Sequence, residues 1–380
     1  MAADEHTSGH QEREMARVYR VISADSHLEP AVESWTPRVP AKYRDRAPRT
    51  IRLENGTDAT VNEGRPLHVF LGGMTGKPYE ERSPIGGAFD TTPGAGGPQQ
   101  RVREQDVDGV DAEVLFSGTD GAHEWSGIRD EGAFKAMVHA YNEFLLEDFC
   151  SYAPDRLIGL VLIPPTGVDD GITELEWAAR MGAKGVCLTR FPSGKGYSSE
   201  ADDRFWAAAI DHNMPLTAHV SFSGFGAGGR GPLYPFKHDL VEAASGVDPF
   251  MKYTKFGLRG GQSAAQMVFG GVFERFPRLK MYFAENQVGW IPNYYEQMDD
   301  QYYRHGYWAE KLLEMPRLKR APSDYAREHC YWGFMRNPFG VKVRHDIGLH
   351  HIMWSTDFPH SESDWPNSRR VIEECFAGVP

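Results

Sequence analysis

The chain has 380 residues, 41% of them hydrophobic and 25% charged, with a formal net charge of −12. This composition suits one large globular domain or two smaller ones and leaves little room for low-complexity disorder away from the ends. The negative balance argues against a nucleic-acid surface, which needs clustered Lys and Arg, and no apolar run reaches the roughly 18 residues that span a bilayer.

Residues 1–20 are polar and mixed in charge, without the apolar stretch of a secretory signal, and read as a disordered tail on a cytoplasmic protein. Val21–Ala24 predicts a first strand that runs into Asp25, Ser26 and His27. Residues 31–100, rich in Gly, Pro and charge, predict a long inserted lid after that strand. Further strands are predicted at Ala112–Phe116, Leu157–Ile163, Gly185–Thr189, Pro215–Val220, Lys280–Ala284, His329–Phe334 and His351–Ser355. Between them, Phe134–Tyr152 carries apolar residues at helical spacing (Met137, Tyr141, Phe144, Leu145, Phe149), and Ser263–Phe276 does the same. The glycine-rich stretch Ser221–Gly231 reads as a flexible loop directly after the fifth strand.

Eight short apolar strands separated by helices predict an α/β chain whose parallel strands close as a (β/α)8 barrel, one domain over residues 21–380 with an insertion at about 31–100. Cys150, Cys187, Cys330 and Cys375 form no CxxC pair and read as reduced, mostly buried thiols.

In a barrel of this kind the active site lies at the C-terminal ends of the strands. Those exits hold Asp25 and His27, then Ser117, Asp120 and His123, then Arg190, His219, Glu285, Arg336, and finally Asp357 and His360. Carboxylates and imidazoles are costly to desolvate unless they are paired or bind a metal. Asp25 and His27, two apart on an extended chain, share a face and suit two ligands of one ion, with His219 and Asp357 converging from other strands. Each has a plainer reading alone: His219 as a core histidine, Asp357 as a turn or cap residue, Arg190 and Arg336 as partners of structural acids. The bound ion would polarise a substrate oxygen or acidify a water.

Four segments carry a resemblance: VISADSHLEP (residues 21–30), LTAH (216–219), FAENQVGW (283–290) and WSTDFPH (354–360), with REQDVDGVDAEVL (103–115) leading into the second strand. They resemble the amidohydrolase-2 branch of the amidohydrolase superfamily, which includes aminocarboxymuconate-semialdehyde decarboxylase and the resorcylate and carboxyvanillate decarboxylases. The resemblance runs from about residue 20 to the end. It implies a metal held by Asp25, an acidic variant of a first ligand that is often His, with His27, His219 and Asp357, the last also handling a proton. Two places depart from the pattern. The decarboxylases usually carry an acid/base His where this chain has Glu285, and the chain ends soon after Arg369–Gly378, where the resemblance implies a shortened or missing eighth helix.

These features support a metal-dependent hydrolase or decarboxylase acting on a small carboxylated or cyclic compound, with Asp357 and Glu285 as catalytic residues. The expected cofactor is a divalent ion, zinc foremost, with manganese or iron as alternatives and one or two ions. Arg190, Arg336, His123 and Trp290 are the candidate substrate contacts, and Trp35, Trp125, Phe191 and Trp365 are further aromatics for an apolar pocket. If Glu285 and His360 joined His219 around a second ion, the chain would be a dinuclear iron or manganese oxygenase with a redox partner; otherwise Glu285 bonds its strand neighbours. A third reading is a non-catalytic barrel subunit. The resemblance also implies a homodimer.

Overall fold

A computed structural model of the chain describes residues 17–64, 67–70, 72–83, 85–118, 125, 127–222 and 258–379. Its frame is a series of parallel strands. β1 (Ile22–Leu28) pairs with β5 (Ala112–Ser117), which pairs with β6 (Leu157–Gly159). β7 (Val161–Ile163) begins a second run through β8 (Val186–Leu188), β9 (Leu216–His219), β10 (Met281–Ala284), β11 (Cys330–Phe334) and β12 (Ile352–Trp354). The predicted third strand is thus divided at Leu160, whose N–H turns to Leu115 O (3.0 Å) while Val161 N–H bonds Gly185 O (3.2 Å). One segment serves two neighbours in succession.

The two ends of the series meet through residues beyond β12. Asp357 N–H donates to Asp25 O (3.0 Å), and His27 N–H donates to Phe358 O (2.7 Å). The first strand is longer than expected, so Asp25 and His27 lie within it. Its register against β5 shifts between Ser23 and Ser26. A bulge of this kind increases local twist and re-aims side chains, and it occurs often beside active sites.

Helices follow the strands. α1 (Pro98–Asp108) precedes β5; α2 (Glu131–Glu143), α3 (Val168–Arg180) and α4 (Asp203–Asp211) come next; α5 (Leu258–Phe269) and α6 (Val272–Arg275) lead to β10. α2 starts where the Asp130 carboxylate accepts from Ala133 N–H at 2.9 Å, and it buries Phe134, Met137, Val138 and Tyr141 on one face. The predicted single helix at Ser263–Phe276 is two, broken at Gly270 and Gly271, the latter at φ +68°. α7 (Ile291–Leu312) and α8 (Pro322–His329) lie between β10 and β11. The final helix, α9 here (Ser368–Cys375), has eight residues and is tied to α1: Asp108 accepts from Ser368 N–H (2.8 Å) and Oγ–H (2.6 Å).

Two buried clusters fill the interior. One joins β7–β11 to their helices through residues such as Phe205, Trp206, Met281, Phe283 and Trp332. The other joins β1, β5 and β6 to α2 through Leu115, Phe116, Met137, Leu145 and Trp35. The four cysteines are buried and form no disulfide among the described residues. No helix among the described residues is long and apolar enough to cross a membrane.

Two further expectations change. The inserted segment is more than a loop: β2 (Arg49–Arg52), β3 (Asp58–Val61) and β4 (His68–Val69) form an antiparallel sheet. The buried Asp58 carboxylate holds it together by accepting from Arg52 and from Phe89 N–H (2.9 Å). Residues 17–20, read from the sequence as part of a tail, are also bonded to the rest of the described chain. Arg17 bonds Asp155 (2.6 Å), and the N–H groups of Arg20 and Val21 bond the Asp111 carboxylate at 2.6 and 2.8 Å.

Candidate metal centre

Asp25, His27, His219 and Asp357 each offer one ligand atom, and the four atoms lie within 4.8 Å of one another. Asp25 and His27 come from the bulged strand β1, His219 is the last residue of β9, and Asp357 follows β12. His27 Nε2 is 3.2 Å from Asp357 Oδ1 and 3.6 Å from Asp25 Oδ1, while His219 Nε2 is 3.8 Å from Asp25 Oδ2.

The donor set fits a divalent cation. His27 Nδ1 lies 3.2 Å from Ser117 O. A carbonyl oxygen only accepts, so Nδ1 carries the proton, and in the neutral ring Nε2 presents a lone pair to the carboxylates. Lone pairs facing each other repel unless a cation lies between them. Both oxygens of Asp25 and of Asp357, and Nε2 of His27 and His219, are buried without a hydrogen-bond partner. Each such group costs roughly 1–3 kcal/mol when left unsatisfied, more when charged. Two imidazoles and two carboxylates suit zinc, manganese or iron.

Electrostatics divide the groups. Burial pushes Asp25 well above the usual carboxylate range, and the Asp357 charge adds to it. Burial also raises Glu285 strongly, helped by Asp357 and Asp25. Burial lowers His27 and carries His219 well below the ordinary imidazole value. Asp357 goes the other way: burial would raise it, but the charge of His360 and the contacts of His27 and His360 hold it below its ordinary range. For His360 burial opposes the charged form, yet Asp357 and Glu29 carry it well above its usual value.

Local backbone supports this geometry. Val220, Glu285 and Asp357 have φ of 58°, 58° and 56°, in the left-handed region that costs a non-glycine residue roughly 1–3 kcal/mol. Asn286, fully buried, holds two of these turns. Its Nδ2 donates to Val220 O (3.1 Å) and Ala284 O (2.6 Å), and its Oδ1 accepts from Gly260 N–H (2.9 Å).

The remaining candidates separate. Glu285 Oε2 is 3.4 Å from His219 Nε2, beside the four-residue group. His360 is turned away from a ligand role, because its Nδ1 faces Asp357 (3.4 Å) and its Nε2 faces Glu29 (2.9 Å) while its ring stacks on His27 at 3.7 Å. Arg336 is half exposed and bonds Glu374 of α9 at 2.6 Å in a surface ion pair. Trp290 donates to Asn286 O (2.9 Å) and packs on Tyr294 and Trp332, so helix packing and not the centre takes its ring. Arg190 is half-buried at the exit of β8, with no ion pair among the described residues. Asp120 and His123 lie outside the described residues, as does the loop at 223–231. Phe191 is a core residue on Trp206 and Phe222, and Trp365 packs on Phe358.

Three site residues were not singled out from the sequence. Glu29 holds His360 and is pulled down to about 2 despite burial, by His360. Its signal was available: Glu29 follows Asp25 and His27 at the same two-residue spacing, just past the end of β1. Tyr282, buried in β10 with an unpartnered hydroxyl, is raised by burial and by the charges of Asp25, Asp357 and Glu285. Asn286 had no signal beyond its place after Glu285.

Comparison with known proteins gives the chain a family and a fold. A family model described as amidohydrolase matches residues 24–378. The curated protein Decarboxylase orsB of Emericella nidulans is 22% identical over 223 residues, 56% of this chain and 61% of that relative, so the match spans less than two thirds of its length. Among solved structures, amidohydrolase map2389c from Mycobacterium avium subsp. paratuberculosis K-10 superposes with a TM-score of 0.70 at 18% identity, covering 96% of each chain. A 5-carboxyvanillate decarboxylase, LigW2 from Novosphingobium aromaticivorans, solved with bound manganese and 3-methoxy-4-hydroxy-5-nitrobenzoic acid, gives a TM-score of 0.63 at 17% identity over 93% of this chain and 91% of its own. At these identities the likeness is one of fold.

Proposed function

The chain belongs to the amidohydrolase family, and from that premise we propose that it is a metal-dependent lyase. In this reading its strands close as a (β/α)8 barrel, and it removes carbon dioxide from a small aromatic or cyclic carboxylate. The observation that carries the reading is the convergence of four buried ligand atoms without partners, with a carboxyl group of raised pKa beside them. The decarboxylase relatives favour loss of carbon dioxide over hydrolysis.

Asp25, His27, His219 and Asp357 would hold the ion, zinc or the manganese of the structural neighbour. When bound, it supplies Lewis-acid polarisation and a template for the substrate oxygens. Decarboxylation of an aromatic acid needs a proton delivered to the carbon that loses its carboxylate. Glu285 is the group for this, because its carboxyl stands 3.4 Å from His219 beside the ligand set and burial raises it above the ordinary range. The proton goes from Glu285 to the ring carbon, the C–C bond breaks with its electron pair returning to the ring, and carbon dioxide leaves. Glu285 then regains a proton from water. In this chain Glu285 takes the place of the expected histidine. Asp357, held ionised by His360, stays a ligand, and the Glu29–His360 pair positions it.

The test is a panel of aromatic and cyclic carboxylates offered to metal-loaded protein in heavy water. Carbon dioxide release, with one deuterium at the vacated carbon, is expected. Hydrolytic turnover of esters or amides without carbon dioxide release, or oxygen consumption, would replace the lyase reading.

A further inference from the structure

Side chains alternate along β10. Met281 and Phe283 join the cluster around Trp332, whereas Tyr282 and Ala284 join the one around Leu115 and Phe116. On the neighbouring strand Thr217 lies beside Tyr282 and His219 beside Ala284, so Tyr282 starts one layer beneath the candidate ligand His219. Its side chain does not stay at that level. A Cβ at Gly333 of β11 would collide with the Tyr282 hydroxyl, and the same point is 3.1 Å from the backbone N of Glu285. The hydroxyl therefore reaches the end of β10, where the ligands gather, and Gly333 is the strand residue that makes room for it.

The hydroxyl is buried without a hydrogen-bond partner, a cost that phenylalanine would not carry. Burial raises the phenol well above its ordinary value, and among the charges that add to this Asp25 comes first, ahead of Asp357 and Glu285. The group thus keeps a proton to donate. The acceptors near it differ in what they already have. Asp357 faces His27 at 3.2 Å and His360 at 3.4 Å. Asp25 is fully buried, and neither of its oxygens has a partner. The ring nitrogens that face it, His27 Nε2 (3.6 Å) and His219 Nε2 (3.8 Å), are ligand atoms themselves. A carboxylate has roughly four accepting sites, more than one ion takes, and ligating carboxylates are in turn hydrogen-bonded by surrounding donors.

We propose that Tyr282 is a positioning residue of the metal centre, its hydroxyl donating to the Asp25 carboxylate and fixing how that carboxylate meets the ion. The inference rests on the metal-site assignment and not on the lyase reaction. Tyr282 and Gly333 act as a unit, the tyrosine supplying the donor and the glycine its seat. An acidic residue at position 25 makes use of such a donor; an imidazole there would offer no second oxygen to receive it.

The test compares the full chain with Tyr282→Phe, which keeps the ring and deletes the hydroxyl. Zinc affinity is measured by competition with a chromophoric chelator, and Tm is taken on metal-free protein. Tyr282→Phe is expected to bind zinc about tenfold more weakly, the lower end for loss of a hydrogen bond to a ligand. Its metal-free Tm should hold or rise, because no bond is lost. Tyr141→Phe, which deletes another buried, unpartnered hydroxyl on α2, should leave zinc affinity unchanged. Zinc should also give the wild type a tyrosine difference band in the near ultraviolet, as the hydroxyl engages the charged carboxylate, and Tyr282→Phe should lack it. If Tyr282→Phe fails to fold, absence of that band from the wild type overturns the proposal. Equal zinc affinity in wild type and Tyr282→Phe overturns it as well. So does a fall in metal-free Tm with affinity unchanged, which marks the hydroxyl as packing only. A wild-type chain that takes up no zinc removes the metal-site assignment, and the role of Tyr282 with it; zinc uptake with equal affinities removes the role of Tyr282 alone.

Discussion

Two buried polar clusters share strand β1 and the segment after β12, and they are built in opposite ways. On one side, Glu113 is satisfied from within the chain: Oε1 accepts from Ser26 Oγ (3.0 Å), and Oε2 accepts from Arg101 Nε (2.6 Å) and Gln105 Nε2 (2.9 Å). Ser26 also meets Thr356 at 3.0 Å, and Arg101 donates to Phe358 O at 3.1 Å, so the network ties β1 to the residues flanking Asp357. On the other side, Asp25, His27, His219 and Asp357 gather at similar depth with their facing atoms unpartnered. Asp25 and Ser26 are neighbours in one strand, and alternation sends one to each cluster. A buried charge satisfied by its own chain holds the fold. A buried set left unsatisfied is shaped for something from outside.

The largest effect expected is on chemistry. Glu285→Gln keeps the shape of the side chain and removes the transferable proton. Turnover should fall by about 10²–10⁴-fold, the range for a general acid, with metal content unchanged. Retained turnover would remove Glu285 from the reaction. The two clusters themselves are separated by stability. Glu113→Ala leaves Arg101 buried and unpaired and should cost about 3–5 kcal/mol in denaturant unfolding. Asp25→Ala in metal-free protein removes a desolvated carboxyl that nothing compensates and should cost at least about 2 kcal/mol less. Equal losses would erase the contrast.

A pH series sharpens the same point. Asp25, Glu285 and His360 have folded-state values raised above their ordinary ones. A raised group contributes stability that is present below its unfolded value and lost as pH rises through the folded one. His27 and His219 are lowered and work oppositely, but only below their ordinary value of about 6.5. Metal-free protein should therefore lose Tm as pH rises above about 7, and metal-loaded protein should lose less, because the ion replaces those protons. Parallel curves would contradict this. The smallest effect is at the surface. Arg336→Ala removes an exposed pair with Glu374, and should change stability by less than about 1 kcal/mol and leave turnover unchanged.

Much of this was legible in the chain. The strands stood out as short apolar runs, and Asp25, His27, His219 and Asp357 stood out because strand exits of that kind rarely carry such residues together. What was hidden has physical reasons. The sheet β2–β4 is made of strands of two to four residues rich in charge, too short to show a period. Arg336 and Trp290 sit where site residues belong, but whether a long side chain turns inward depends on Glu374 and Gly261, which are distant in sequence or unremarkable there. The Arg101–Glu113 pair crosses from helix to strand, and nothing in REQDVDGVDAEVL marks which of its acids is buried.

The central claim is that the four unpartnered side chains hold a divalent ion. Elemental analysis of the purified full chain, beside Asp25→Ala and His219→Ala variants shown by circular dichroism to be folded, tests it most directly. The account predicts about one zinc or manganese ion per wild-type chain and loss of that ion in both variants. A wild-type chain that takes up no divalent metal when supplied with it, or folded variants that keep the full amount, would contradict it.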